Sequence, residues 1–198
     1  MIPVARWNLD ELAATWSTSS PFPHVVLDDV VDPQTLATLL QAVSQEPHWP
    51  NRGEIYDFMA SAEEVTHPTL RELHAELGST PVLDAIRAIS GRLVTRADLR
   101  SYVYVPGSYL LPHADARASI GRMVAFVFYL WTEGCEGGEL ELFACEMAGD
   151  ELIRARPAQR LVPRANRMVL FDVTNASLHQ VREVLAGNRV SLTGWFLG

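Results

Sequence analysis

The 198-residue chain has only two cysteines, Cys135 and Cys145, too few for a disulfide framework. No apolar stretch reaches membrane-spanning length; the best, "MVAFVFYLW" (123–131), is the size of a strand. Basic residues are scarce as well. Lys and Arg total 16 against 24 Asp and Glu, a net charge of −8, so nucleic acid is not an expected partner, because phosphate binding calls for a basic face. The opening "MIPVARWNLDEL" lacks a basic segment followed by an apolar one, so no signal peptide and no membrane association are expected, and the expected setting is cytoplasmic and reducing. Internal repeats and low-complexity tracts are absent. What is present is the makeup of a globular domain, 48% hydrophobic and 20% charged, with length enough for one sizeable core.

The first half reads as helical. "NLDELAATW" (8–16) suits a short helix, "STSSPFP" (17–23) interrupts it, and "HVVLDDVV" (24–31) is strand-like. "DPQTLATLLQAVSQ" (32–45) opens with an Asp cap and a proline at the first helical position, and its Leu36, Leu39, Leu40 and Val43 recur at helical spacing. "PHWPNRGEIYDFMASAEEV" (47–65) has no clear period and reads as a long surface segment of the kind that covers a site. Two further helices are expected at 67–77 and 80–90. From Leu99 the pattern becomes β, with short strands in "LRSYVYV", "RMVAFVFYLW", "GELELFA", "RMVLFDV", "SLHQVREV" and "RVSLTGWFL" set between Gly and Pro turn signals. Many short strands imply a barrel or jelly roll, buttressed by the earlier helices.

"LLPHADARASIGRMVAFVFYLW" (110–131) places His113 and Asp115 two residues apart before the most apolar strand. On an extended strand, residues i and i+2 point the same way, so both side chains can reach one ion. With His179 from "SLHQVREV" they make two imidazoles and a carboxylate, the facial set of non-haem Fe(II) oxygenases, which leaves coordination positions open. The pair alone is weak, since a hydrogen-bonded turn uses the same residues. His74-Ala75-Glu76 is a second His-x-acid match, but Leu70, Leu73 and Leu77 make its segment a helix, where i and i+2 stand roughly 200° apart. His74 is expected on the helix surface. Arg189 adds an independent signal: a guanidinium inside an apolar strand is costly unless an anion meets it, and its planar fork suits a carboxylate.

Taken in order, "YVYVPGSYLLPHAD", "RMVAFVFYLW", "GGELELF", "RMVLFDV", "SLHQVREV" and "RVSLTGWF" resemble the 2-oxoglutarate/Fe(II) dioxygenases of the prolyl-hydroxylase group. The likeness is strongest to the catalytic domain of eukaryotic ribosomal-protein prolyl hydroxylases and weaker to the oxygen-sensing ones; "PFPHVVLDDVV" and "EIYDFMASAEEV" carry it into the first half. The resemblance implies a mainly β fold, a double-stranded β-helix (jelly roll) with supporting N-terminal helices. It implies an N-terminal arm over 1–20 and a single domain over 21–198, divided into helix-rich support and lid (21–95) and jelly-roll core (96–198).

It further implies that His113, Asp115 and His179 bind Fe(II), and that Arg189, with Thr193 on the same strand face, holds the far carboxylate of 2-oxoglutarate. Tyr104, Tyr129 and Leu140 would wall that co-substrate. Arg122, Tyr56, Phe58 and Trp195 are candidate substrate contacts, though a solvated strand-start charge fits Arg122 and packing fits the aromatics equally. The implied reaction consumes O2 and 2-oxoglutarate, with ascorbate as stimulant, and yields succinate, CO2 and an alcohol. An aspartate ligand, where related halogenases carry a small residue, favours hydroxylation. The ribosomal enzymes carry a second related domain, so this chain is also open to a substrate other than a ribosomal protein. A prolyl residue of a protein or peptide leads as substrate. A free or carrier-bound amino acid or peptide natural product is the alternative, and a non-catalytic metal-binding jelly roll is a third reading.

Overall fold

The computed structural model describes residues 2–116 and 119–198. A 3-10 turn (Val4–Arg6) and α1 (Leu9–Thr18) lead to β1 (His24–Leu27), α2 (Pro33–Gln45), β2 (Trp49–Gly53) and β3 (Tyr56–Ala60). Then come α3 (Pro68–Leu77), α4 (Thr80–Ser90), β4 (Arg96–Ala97), β5 (Arg100–Tyr104), β6 (Tyr109–His113) and β7 (Arg122–Trp131). The chain closes with β8 (Glu136–Gly137), β9 (Leu140–Ala148), β10 (Glu151–Leu161), β11 (Arg167–Asp172), β12 (His179–Val181), β13 (Val184–Ala186) and β14 (Arg189–Leu197). No helix among the described residues is long and apolar enough to cross a membrane.

Twelve of the strands form one curled antiparallel sheet in the order β1-β11-β7-β14-β5-β3-β6-β12-β9-β10, with β2 on β3 and β4 on β14, and β8 and β13 pair separately. It curls because both of its halves have an apolar face to bury. β7 shows this best, with every residue from Val124 to Leu130 buried. Val124, Phe126, Phe128 and Leu130 join a core shared with Leu39, Leu73 and Ile86 of α2, α3 and α4. Ala125, Val127 and Tyr129 point the other way, into a second core with Leu140 and Leu142 of β9 and Phe171 of β11. A strand covered on both faces reads as an unbroken apolar run, which is why "VAFVFYL" shows no alternation. The expected jelly roll with N-terminal helices is the observed fold.

Local capping follows the residue types. Asp32 accepts hydrogen bonds from the Gln34 and Thr35 backbone amides and Pro33 opens α2, as its sequence implies.

Several expectations change. The segment expected to be an N-terminal arm is packed: Ile2 and Trp16 are buried in the helix-side core. The segment 47–65 is no loop. Its β2–β3 hairpin enters the sheet, and β3 bridges β5 to β6. "SLHQVREV" is not one strand but two, β12 and β13, which pair with different neighbours. His74 is no free surface histidine, since its Nε2 lies 2.9 Å from the Ala97 carbonyl and ties α3 to β4.

Candidate active site

β6 and β12 are antiparallel neighbours, with His113 directly opposite His179 and the ring centroids 4.4 Å apart. Asp115 lies two residues beyond the end of β6, so the expectation that it shares a strand with His113 is corrected. Its carboxylate still reaches both rings. Oδ1 is 3.6 Å from His113 Nε2 and Oδ2 is 3.6 Å from His179 Nε2. One donor atom from each of the three residues lies within 4.8 Å of the other two, and among the described residues these form the one group able to hold a metal ion.

The backbone sets both rings. His113 Nδ1 is 2.9 Å from the Leu111 carbonyl and His179 Nδ1 is 3.0 Å from the Ser177 carbonyl. A carbonyl only accepts, so each Nδ1 carries the hydrogen and each Nε2 turns its lone pair toward Asp115. Burial pushes the His179 pKa down to about 4, which keeps it neutral and ready to bind. Burial also pushes His113 down, but the bond to Asp115 and the charge of that carboxylate outweigh it and raise the net value. Asp115 itself is opposed by burial yet held well below the usual carboxylate range by the two imidazoles and by the indole of Trp195, whose Nε1 donates to Oδ2 at 2.8 Å.

These residues line a cavity of about 220 Å³ inside the curled sheet. Arg189, 2% exposed, enters it from β14 between two aromatic rings, its guanidinium carbon 4.8 Å from the centroids of both Tyr104 and Tyr129. The only hydrogen bond of its side chain among the described residues is a long one, 3.4 Å to Ser191 Oγ, and no carboxylate there pairs with it. Arg189 Nε and Tyr129 Oη are buried without partners. A buried cation facing the cavity, beside a ring whose hydroxyl is also unpartnered, calls for an anion with oxygen acceptors. Gly138 makes room for this arginine. A Cβ there would stand 3.2 Å from Arg189 Cδ, and the backbone has φ of +68°, which suits glycine.

The remaining expected residues divide. Thr193, Leu140, Phe58, Trp195 and Arg122 all line the cavity. Tyr56 and Tyr129 do not: Tyr56 stacks on Phe58 at 5.3 Å, one step back from the wall, and Tyr129 is packed in the second core with its ring against Arg189. Arg122 is no solvated charge, for its guanidinium carbon lies 3.5 Å from the centroid of the Trp195 ring and its Nη1 is 3.8 Å from Asp115 Oδ1. The sequence reading missed Tyr102, Leu110, Ala125, Val127, Phe171 and Val181 in the lining. Period-two spacing from the expected site residues would have found some of them: Tyr102 from Tyr104, and Ala125 and Val127 from Tyr129.

Residues 99–197, 99 of the 198, match the 2OG-Fe(II) oxygenase superfamily. Among curated proteins, the chain is 28% identical over 194 residues to the prolyl 3-hydroxylase sudestada1 of Drosophila melanogaster, covering 91% of this chain and 35% of that one. It is 29% identical over 191 residues to the prolyl 3-hydroxylase OGFOD1 of Xenopus laevis, covering 91% and 36%. The chain thus spans about a third of the length of the curated relatives it matches. Its fold resembles a prolyl-4-hydroxylase from Pseudomonas putida, with TM-score 0.69 and 21% identity over 94% of this chain and 98% of the other. It also resembles a 2OG-Fe(II) family oxidoreductase from Burkholderia pseudomallei, with TM-score 0.74 and 18% identity over 97% and 92%. The two histidines and aspartate suit Fe(II), and the unpaired Arg189 suits a dicarboxylate. On the match over half its length, the chain belongs to the 2OG-Fe(II) oxygenase superfamily, whose enzymes work with Fe(II), 2-oxoglutarate and O2.

Proposed function

We propose that this chain hydroxylates a prolyl residue of a protein or peptide, with His113, Asp115 and His179 as its iron ligands. Residues 96–198 act as the catalytic core and 21–95 as support and lid. The carrying observation is that three metal-type donors and one unpaired buried guanidinium face the same cavity. The names of its relatives, prolyl 3-hydroxylases, favour proline among possible substrates. Bound together, Fe(II), 2-oxoglutarate and O2 supply the oxidising power that turns a C–H bond into an alcohol while succinate and CO2 leave.

The protein's own part is positioning. Arg189 takes the far carboxylate of 2-oxoglutarate through two parallel hydrogen bonds, with Thr193 and the Tyr129 hydroxyl as further donors. Tyr104 and Leu140 wall the co-substrate and keep water from it. Burial raises the Tyr104 pKa, so its hydroxyl stays protonated and donates at any working pH. Phe58 and Tyr102, with ring centroids 5.4 Å apart, offer an aromatic wall to a pyrrolidine ring, and Arg122 and Trp195 border Asp115 in the same cavity. A non-catalytic metal-binding module is disfavoured because it has no use for an unpaired arginine in the cavity.

The test is incubation with Fe(II), 2-oxoglutarate, ascorbate and a set of proline-containing peptides, followed by mass spectrometry. A peptide gaining the mass of one oxygen on proline, with matching succinate, supports the proposal. Turnover of free amino acids with none of any peptide would replace it by the biosynthetic alternative.

A further inference from the structure

β12, which carries His179, is only three residues long, and its pairing with β6 is irregular between His179 and Val181. Its continuous register is on the other side, where His179, Gln180 and Val181 face Leu142, Glu141 and Leu140 of β9. Leu140 and Val181 line the cavity, and alternation turns Glu141 and Gln180 to the outer face of the same strands. Glu141 is nonetheless only 1% exposed.

Its carboxylate is fully engaged. Oε1 accepts from Arg160 Nε of β10 at 2.5 Å and lies 3.5 Å from Arg182 Nη1, while Oε2 accepts from the Gln180 side-chain amide. Arg160 and Gln180 are the cross-strand partners of Glu141 on its two sides. One buried carboxylate therefore bolts three strands together in a line, directly behind the metal-facing histidine. The point matters because a slip of one residue exchanges the two faces of a strand. Were β12 to slip against β9, His179 would turn outward and Gln180 would enter the cavity.

We propose that Glu141, acting through Gln180, is a positioning residue for the metal centre, fixing β12 in the register that aims His179 at His113 and Asp115. This rests on the reading of those three residues as the iron ligands. Glu141 touches neither metal nor substrate, so its effect is read in metal affinity apart from fold stability.

The experiment titrates the purified protein with Mn(II), followed by electron paramagnetic resonance, beside thermal melting. Glu141→Gln and Gln180→Leu should each weaken Mn(II) binding roughly 10-fold or more. Glu46→Gln removes a different buried carboxylate, one that accepts from the Thr66 and His67 backbone amides away from the cavity. It should lower the melting temperature and leave metal affinity unchanged. If Glu141→Gln does not fold, Gln180→Leu still decides, because it leaves Glu141 with Arg160 and Arg182. Wild-type affinity in folded Glu141 and Gln180 variants overturns the positioning role alone. A wild type that takes up no Mn(II) overturns the metal-centre reading, and the positioning role falls with it.

Discussion

The indole Nε1 of Trp195 donates a hydrogen bond to Asp115 Oδ2 at 2.8 Å across 80 residues of sequence. Asp115 sits past the end of β6, outside the strand pairing, so side chains rather than a backbone ladder hold its carboxylate. Trp195→Phe keeps an aromatic ring under Arg122 but removes the donor. Its expected effect is a loss of Fe(II) or Mn(II) affinity of about 10-fold, with little change in melting temperature. Metal titration checks it, and unaltered affinity would count against the bond's role.

Arg189 and Gly138 form a second coupled pair. Arg189→Lys leaves a point charge where a fork is needed and should weaken 2-oxoglutarate binding while metal binding persists. Gly138→Ala puts a methyl group against the arginine's stem at a left-handed φ of +68°. It should cost about 1–2 kcal/mol of stability and weaken 2-oxoglutarate as well. Calorimetric titration and denaturant unfolding separate the two effects; full affinity in Gly138→Ala would show that the arginine has other room to move.

The metal-free protein should lose stability on mild acidification. His179 in the fold takes up a proton only near about 4, against an ordinary 6.5. Between those values the unfolded chain binds the proton and the folded one does not, so stability falls as pH drops across that window, by roughly 3 kcal/mol at most. His113, with its raised value, gains stability on protonation and offsets part of the loss. Urea unfolding of metal-free protein from pH 6.5 down to 4 should show a steeper decline for wild type than for His179→Gln. Equal slopes would mean that His179 is not held neutral.

Much of this architecture is legible in one dimension, and the gaps have physical causes. β7 announces itself because it is buried on both faces, and the spacing of Arg189 and Thr193 reads directly as one face of β14. β10 goes unseen because it is an edge strand exposed over nearly its whole length, with Arg154, Arg156, Pro157 and Arg160 where an inner strand would carry apolar residues. The β2–β3 hairpin is missed for a similar reason, since its residues are mostly half-buried or exposed and show no clean alternation. His113, Asp115, His179 and Arg189 are recognisable as a set by resemblance to a family. That Asp115 stands off the strand, or that Glu141 bolts β12 in place, depends on contacts between distant residues, which spacing does not encode.

The central claim is that one cavity holds iron through His113, Asp115 and His179 and 2-oxoglutarate through Arg189. Anaerobic calorimetric titration of 2-oxoglutarate into the Fe(II)-loaded protein tests it most directly. The expected result is one tight site per chain in wild type, severely weakened in Arg189→Ala and dependent on iron, with iron uptake itself lost in His179→Ala. Undiminished 2-oxoglutarate binding in Arg189→Ala, or undiminished iron binding in His179→Ala, would contradict it.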